Sequence, residues 1–184
     1  MRLKTLLVAS CGAALIGAGL GDRQPTIVWN LSASVPIGLY VIDPGVPQLD
    51  DYVLIRLPPL AAALASNRGY LPAGISLLKK VSANQGAVAC RLGQRILLNG
   101  IAVARASRVD LLRRPMPIWT GCRRLKAGEL FLLGGGPDSF DSRYFGPVSA
   151  TDVVGRATPI HTWLFQRQAL GNACRQTAPR AERN

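Results

Sequence analysis

Asn30-Leu31-Ser32-Ala33-Ser34-Val35-Pro36-Ile37-Gly38-Leu39-Tyr40 sets two serines, a proline and a glycine among apolar residues. The stretch begins a few residues after an N-terminal hydrophobic run, which places Ser34 close to a membrane surface. Ser34 reads as a candidate nucleophile whose base, frame and anchor come from the rest of the chain. Beyond it the sequence breaks into short apolar runs separated by turn residues. That pattern predicts strands rather than long helices.

Those runs can be followed in order. Residues 40–42 predict a short strand, Asp43-Pro44-Gly45 a turn, and residues 52–57 a second strand. Residues 58–71 are alanine-rich and predict one or two helical turns that close at Asn67-Arg68-Gly69. Residues 75–81 predict a third strand, apolar and then abruptly cationic at Lys79-Lys80, and residues 87–92 a fourth. Asn99-Gly100 joins residues 95–98 and 101–104 as a hairpin, because both turn positions need positive φ. Residues 105–124 read as a basic, irregular surface insertion. Residues 125–133 turn into another strand, residues 134–147 form a dense polar loop, and residues 152–157 and 159–163 are the last two strands. No internal repeat or second core is visible, so the expectation is one mainly β, antiparallel body.

Composition narrows the class. The 184 residues are 48 % hydrophobic and 17 % charged, which suits one folded domain plus an anchor rather than a disordered polymer. The formal charge of +12 admits nucleic acid or an anionic membrane surface as a partner. No basic and aromatic interleaving or recognition helix accompanies it, so no nucleic acid is expected and a basic face toward anionic lipid is the simpler reading. Cys11, Cys90, Cys122 and Cys174 lack metal-ligand spacing, and His161 is near none of them. No metal or organic cofactor is expected. In an exported body Cys90 and Cys122 are the expected disulfide, leaving Cys174 over; the simpler alternative is four small buried apolar side chains.

The N-terminus carries Arg2 and Lys4 ahead of a small-residue apolar run, residues 5–21, closed by Asp22-Arg23. The run is a little short for a comfortable span, longer than most signal h-regions, and lacks a clean cleavage site. It reads as a retained anchor. The early cations hold the N-terminus in the cytoplasm and send the body to the outer face. Val8-Ala9-Ser10-Cys11 looks like a lipidation site, but the apolar run continues past it. The divisions are an anchor at 1–22, a β-rich domain at 23–165 and a basic tail at 166–184.

A serine hydroxyl needs a base to take its proton. The candidates are His161, Lys79, Lys80 and the aspartates. A lysine serves only when neutral, and burial can lower its ordinary pKa of ~10.4 toward ~7–8. Strand alternation sends Lys79 and Lys80 to opposite faces, so one of them points inward; periodicity does not say which. In the loop at 134–147, Ser139 could bond a lysine amine. Asp141 and Arg143, two apart, share a side of an extended chain and could pair there. The plain alternatives are a strand end with two solvated cations and a tight turn held by Asx bonds.

Three stretches in order resemble the signal peptidase I family of membrane-bound serine proteases: Ser32-Ala33-Ser34-Val35-Pro36, Leu77-Leu78-Lys79-Lys80-Val81 and Ser139-Phe140-Asp141-Ser142-Arg143-Tyr144-Phe145-Gly146. The resemblance runs from about Ser32 to Ile160. It implies a signal-peptidase-like antiparallel β body behind an N-terminal transmembrane helix. It assigns the nucleophile to Ser34 and the general base to Lys79. The oxyanion-assisting hydroxyl falls on Ser32, the serine that steadies the lysine amine on Ser139, and a structural ion pair on Asp141 and Arg143.

Val35 stands where housekeeping members usually have Met, and Gly134-Gly135-Gly136-Pro137 where they usually have Gly-Asp-Asn-Arg. With the small size and single anchor, these features are more similar to the conjugative-transfer, TraF-type branch. The implied function is an inner-membrane Ser/Lys endopeptidase, its catalytic domain on the periplasmic face. Its substrate would be a pilin precursor, matured and in some systems closed into a ring, and a conjugative transfer apparatus would be its wider partner. The alternatives are a general type I signal peptidase, and a membrane-tethered basic β module that binds nucleic acid or a pilus component without catalysis.

Overall fold

The computed structural model describes residues 27–162. Among the described residues eleven strands form two antiparallel sheets. In the first, of seven strands, the order is β1 (Ile27–Asn30), β2 (Gly38–Asp43), β11 (Val153–Thr162), β3 (Tyr52–Ile55), β4 (Leu77–Ala83), β9 (Glu129–Leu133) and β10 (Val148–Ser149). In the second the order is β7 (Ile101–Arg105), β6 (Arg95–Leu98), β5 (Val88–Leu92) and β8 (Gly121–Arg124). Helix α1 (Pro59–Asn67) follows β3, and a single turn, α2 (Ser142–Phe145), follows β9. The expectation of a mainly antiparallel β body therefore holds. The expected anchor at 1–22, Cys174 and the expected tail at 166–184 lie outside the described residues. Among the described residues no helix is long and apolar enough to cross a membrane.

The large sheet is covered on both faces, and alternation sorts its side chains. Leu54 and Leu78 join Val35, Tyr40, Ile42, Val154 and Ala157 in one cluster. Val53, Ile55 and Val81 join Leu130, Leu132 and Val148 in another. Val53 pairs with Lys79 and Tyr52 with Lys80 across β3 and β4. This register puts Lys79 on the face of Val53 and Val81, and Lys80 on the opposite face. A third cluster, including Ala89, Ile96, Phe131 and Tyr144, joins the small sheet to β9 and α2.

Four expectations need correction. Strand β1 was not anticipated: it is four residues long, and Ile27 and Trp29 are exposed, so its alternation is weak. The 105–124 segment is not wholly irregular, since its last four residues form β8. All four β8 side chains are exposed, so no apolar alternation marks the strand. The last two expected strands are one, β11, whose register slips between Pro159 and His161; proline lacks the donor an unbroken ladder needs. The loop at 134–147 ends in a helical turn, because Asp141 accepts the Arg143 N–H as an N-cap.

Cys90 and Cys122 are directly opposed in the β5–β8 pair and form a disulfide. The pair is 32 residues apart in sequence, and β8 has no other buried anchor. Closing a loop of that size restricts the unfolded chain by about 3–4 kcal/mol. Replacing both cysteines by serine is expected to lower the unfolding free energy by about that amount, read by urea denaturation. An unchanged midpoint would mean that the backbone ladder and the bonds of Arg123 to Glu129 and of Arg124 to the Gly86 carbonyl hold β8 without the disulfide.

Candidate active site

The Ser34 stretch is a loop between β1 and β2, held from inside by one amide. Asn30, buried at the end of β1, donates through Nδ2 to the carbonyls of Ser32 (2.8 Å), Val35 (3.1 Å) and Pro36 (3.1 Å). Its Oδ1 accepts from the Ser32 N–H (3.1 Å) and the Ser32 hydroxyl (3.0 Å). Tyr40 donates its hydroxyl to the Pro36 carbonyl at 2.6 Å, and burial raises its pKa. The loop is thus tied at both ends. The sequence reading missed Asn30; its position ahead of a Ser-x-Ser loop, where short polar side chains bond nearby backbone, was the available signal.

Ser32 Oγ and Ser34 Oγ are 2.9 Å apart. A hydroxyl has one proton, and that of Ser32 goes to Asn30 Oδ1. Ser34 is therefore the donor in the Ser32–Ser34 bond. Among the described residues the Ser34 N–H has no protein acceptor, while the Ser34 carbonyl accepts from the Gly135 N–H at 2.6 Å.

Lys79 is the inward lysine, 3 % exposed, and donates from Nζ to Ser139 Oγ at 2.8 Å. Its pKa is lowered from 10.5 to about 8. Burial is the main cause; the nearby Asp141 carboxylate pulls it up and the Arg143 guanidinium pushes it down. Lys80 is partly exposed and pairs with the exposed Asp50 at 2.8 Å. His161 lies in β11 opposite Leu39.

Asp141 and Arg143 form a buried ion pair with bonds of 2.9–3.1 Å from the guanidinium to the carboxylate. The same guanidinium donates to the carbonyls of Gly134 (2.7 Å), Gly136 (2.9 Å) and Pro137 (2.9 Å). Asp141 accepts the Gly134 N–H at 2.8 Å. The pair was expected on an extended chain; it sits instead at the start of α2, where the Asp141 cap aims both groups back at the glycines.

Gly134 is where these parts meet. A Cβ there would lie 2.9 Å from Ser139 Cβ and 3.0 Å from Ser34 Cβ. Its lack of a side chain lets the Ser34 loop approach the Lys79–Ser139 pair. Ser34 and Lys79 line one cavity of about 1040 Å³ together with Ser32, Ser139 and Asn30. Among the described residues no group of three or more His, Cys, Asp or Glu is placed to hold a metal ion.

With this geometry in view, comparison with known proteins identifies the class. A family model described as "Signal peptidase, peptidase S26" matches residues 2–163. The chain belongs to that family. It is 29 % identical over 173 residues to a plasmid transfer protein TraF of Escherichia coli, covering 88 % of this chain and 97 % of the relative. It is 31 % identical over 164 residues to a conjugal transfer protein TraF of Agrobacterium fabrum, covering 83 % and 89 %. A crystal structure of a signal peptidase I from Enterococcus faecalis is similar at 22 % identity and a TM-score of 0.38, covering 63 % of this chain and all of that one. Membership of the S26 family supports a serine peptidase.

Gly134→Ala is expected to drive Ser139 off the Lys79 amine and to reduce peptidase activity on the order of 100-fold, the usual effect of a misplacement near 1 Å. Gly135→Ala is the control: its Cβ would meet only the Ser34 carbonyl oxygen, at 3.8 Å, and activity should hold. Equal losses in steady-state peptide hydrolysis would remove the special role of Gly134.

Proposed function

We propose that the protein is a membrane-anchored Ser/Lys-dyad endopeptidase that matures a pilin precursor for plasmid conjugative transfer. The observation that carries the dyad is the buried Lys79 amine, held on Ser139 and sharing a cavity with Ser34. The similarity to TraF proteins over nearly their whole length supports the conjugative branch. The Cys90–Cys122 disulfide fits a periplasmic body, where oxidising conditions preserve such bonds, and residues 1–22 would hold it to the inner membrane.

In this mechanism neutral Lys79 keeps one N–H on Ser139 and offers its lone pair to Ser34. The Ser34 hydroxyl turns from Ser32 toward that amine, gives up its proton and attacks the peptide carbonyl. The Ser34 N–H and the Ser32 hydroxyl receive the oxyanion. One such donor is worth about 3–4 kcal/mol in the transition state. To donate there, Ser32 must release Asn30 Oδ1. The C–N bond then breaks, and the leaving amine takes the proton from the Lys79 ammonium. Water, or an amine from the substrate's own N-terminus, resolves the acyl-enzyme as a linear or a cyclic product. Apolar residues beside Ser34 would favour small side chains on the acyl side of an extended substrate strand.

The pH dependence follows from the base. Below a pKa of about 8 Lys79 is mostly charged and cannot accept a proton, so kcat should rise with pH through an inflection near 8 and level off above it. At pH 7 about one enzyme in ten would carry the neutral amine. A flat profile from pH 6 to 9 would exclude Lys79 as the base.

Ser34→Ala and Lys79→Met should each abolish processing in a folded protein, with the double variant no worse than either. Mass spectrometry of the cognate pilin precursor, with and without enzyme, tests the substrate: a product one water lighter than the linear form marks ring closure. Cleavage of generic secretory precursors but not of pilin would favour a general signal peptidase. Steeply salt-dependent DNA binding by a protein indifferent to Ser34→Ala would favour a non-catalytic basic module.

A further inference from the structure

We propose that the corner of the cavity formed by Arg68 and Arg114 is a subsite for a carboxylate of the peptide substrate. This rests on the peptidase reading above. The cavity, at about 1040 Å³, reaches beyond the Ser34–Lys79 end to the C-terminus of α1 and the 106–116 segment.

There Asp110 faces two guanidinium groups. Arg114 Nε is 2.6 Å from Asp110 Oδ2, Arg68 Nη1 is 3.7 Å from it, and the Tyr70 hydroxyl donates to it at 2.5 Å. The other carboxylate oxygen is taken by the N–H groups of Leu112 and Arg114, each at 2.9 Å. One carboxylate, with its capacity filled, thus stands against two cations. Among the described residues no other carboxylate lies within ion-pair distance of either arginine; the exposed Asp138 also lines the cavity but pairs with neither.

The excess positive charge is presented, not hidden. The Arg68 and Arg114 side chains keep 19 % and 34 % of their surface. Arg114 is fixed over the Tyr70 ring at 5.5 Å and donates to the Arg68 carbonyl at 3.3 Å. Asp110 balances one of the two positive charges, so the corner keeps a net positive charge for an anion although both arginines touch the carboxylate. The half-buried Leu71 and Val109 line the same corner and weaken solvent screening around it. A guanidinium fork matches a carboxylate in shape as well as charge. A peptide carboxylate fits better than a lipid phosphate because this same cavity holds Ser34 and Lys79, where a scissile bond would lie.

The test uses the full-length Ser34→Ala protein in detergent micelles, so that binding is read without cleavage. The probes are fluorescent ten-residue peptides in which a single Glu is scanned against Gln, each made with a free or an amidated C-terminus. A Glu side chain at one position, or the free C-terminus, is expected to tighten Kd about tenfold. Arg68→Gln and Arg114→Gln should each shrink that advantage, while Arg114→Lys, which keeps the charge, should retain part of it. Equal binding of all four peptide classes, no binding, or an advantage indifferent to both Gln variants would overturn the proposal. So would variants that alter only retention on phosphatidylglycerol vesicles, which would assign the corner to lipid. The peptidase reading fails separately, if the wild-type protein leaves intact the peptides that Ser34→Ala binds.

Discussion

The buried Asp141–Arg143 pair is the constraint on which the site depends. An isolated cation or carboxylate at that depth would be costly, and removing one partner of such a pair typically costs 3–5 kcal/mol. Here neither is isolated. Six hydrogen bonds from the Arg143 side chain, with a seventh from its own N–H, satisfy Asp141 and three loop carbonyls. The loop at 134–137 is consequently pinned with Gly134 against Ser34 and Ser139. The pair also acts on Lys79 with opposite signs, the carboxylate raising and the guanidinium lowering its pKa. Burial is the largest of the three influences and sets the net direction, downward.

The Ser34 loop shows a complementary economy. Asn30 does for residues 32–36 what Arg143 does for residues 134–137: one side chain collects several carbonyls that a sharp loop would leave unpaired. Two serines then share a short proton chain that ends on Asn30 Oδ1. Backbone bonds to Asn30 and Tyr40 hold the loop, while the two serine hydroxyls keep the freedom to rotate.

Much of this was legible in the sequence, and the failures have a common cause. The Lys79 and Lys80 alternation, the Asn99-Gly100 turn and the Cys90–Cys122 pair were readable because each depends on local spacing or on chain class. Which lysine faces inward was not, because it depends on the register of β4 against β3, a long-range choice. Strands β1 and β8 escaped notice because their side chains are mostly exposed and carry no alternating apolar signal. Gly134 could be seen only as one of three consecutive glycines. The clash that singles it out involves Ser34, a hundred residues earlier in the chain, and Ser139.

The +12 charge invites the idea that repulsion from the whole protein lowers the Lys79 pKa. Magnitudes argue otherwise. A unit charge ~10 Å away through water acts with roughly 0.4 kcal/mol, about a third of a pKa unit, before salt screens it. The named neighbours Asp141 and Arg143 oppose each other, and the exposed Lys80 points to the other face, paired with Asp50. A fall from 10.5 to about 8 therefore needs the lost hydration of an amine that is 3 % exposed. Surface cations act instead through many weak, long-range terms that add along a surface rather than converging on one atom.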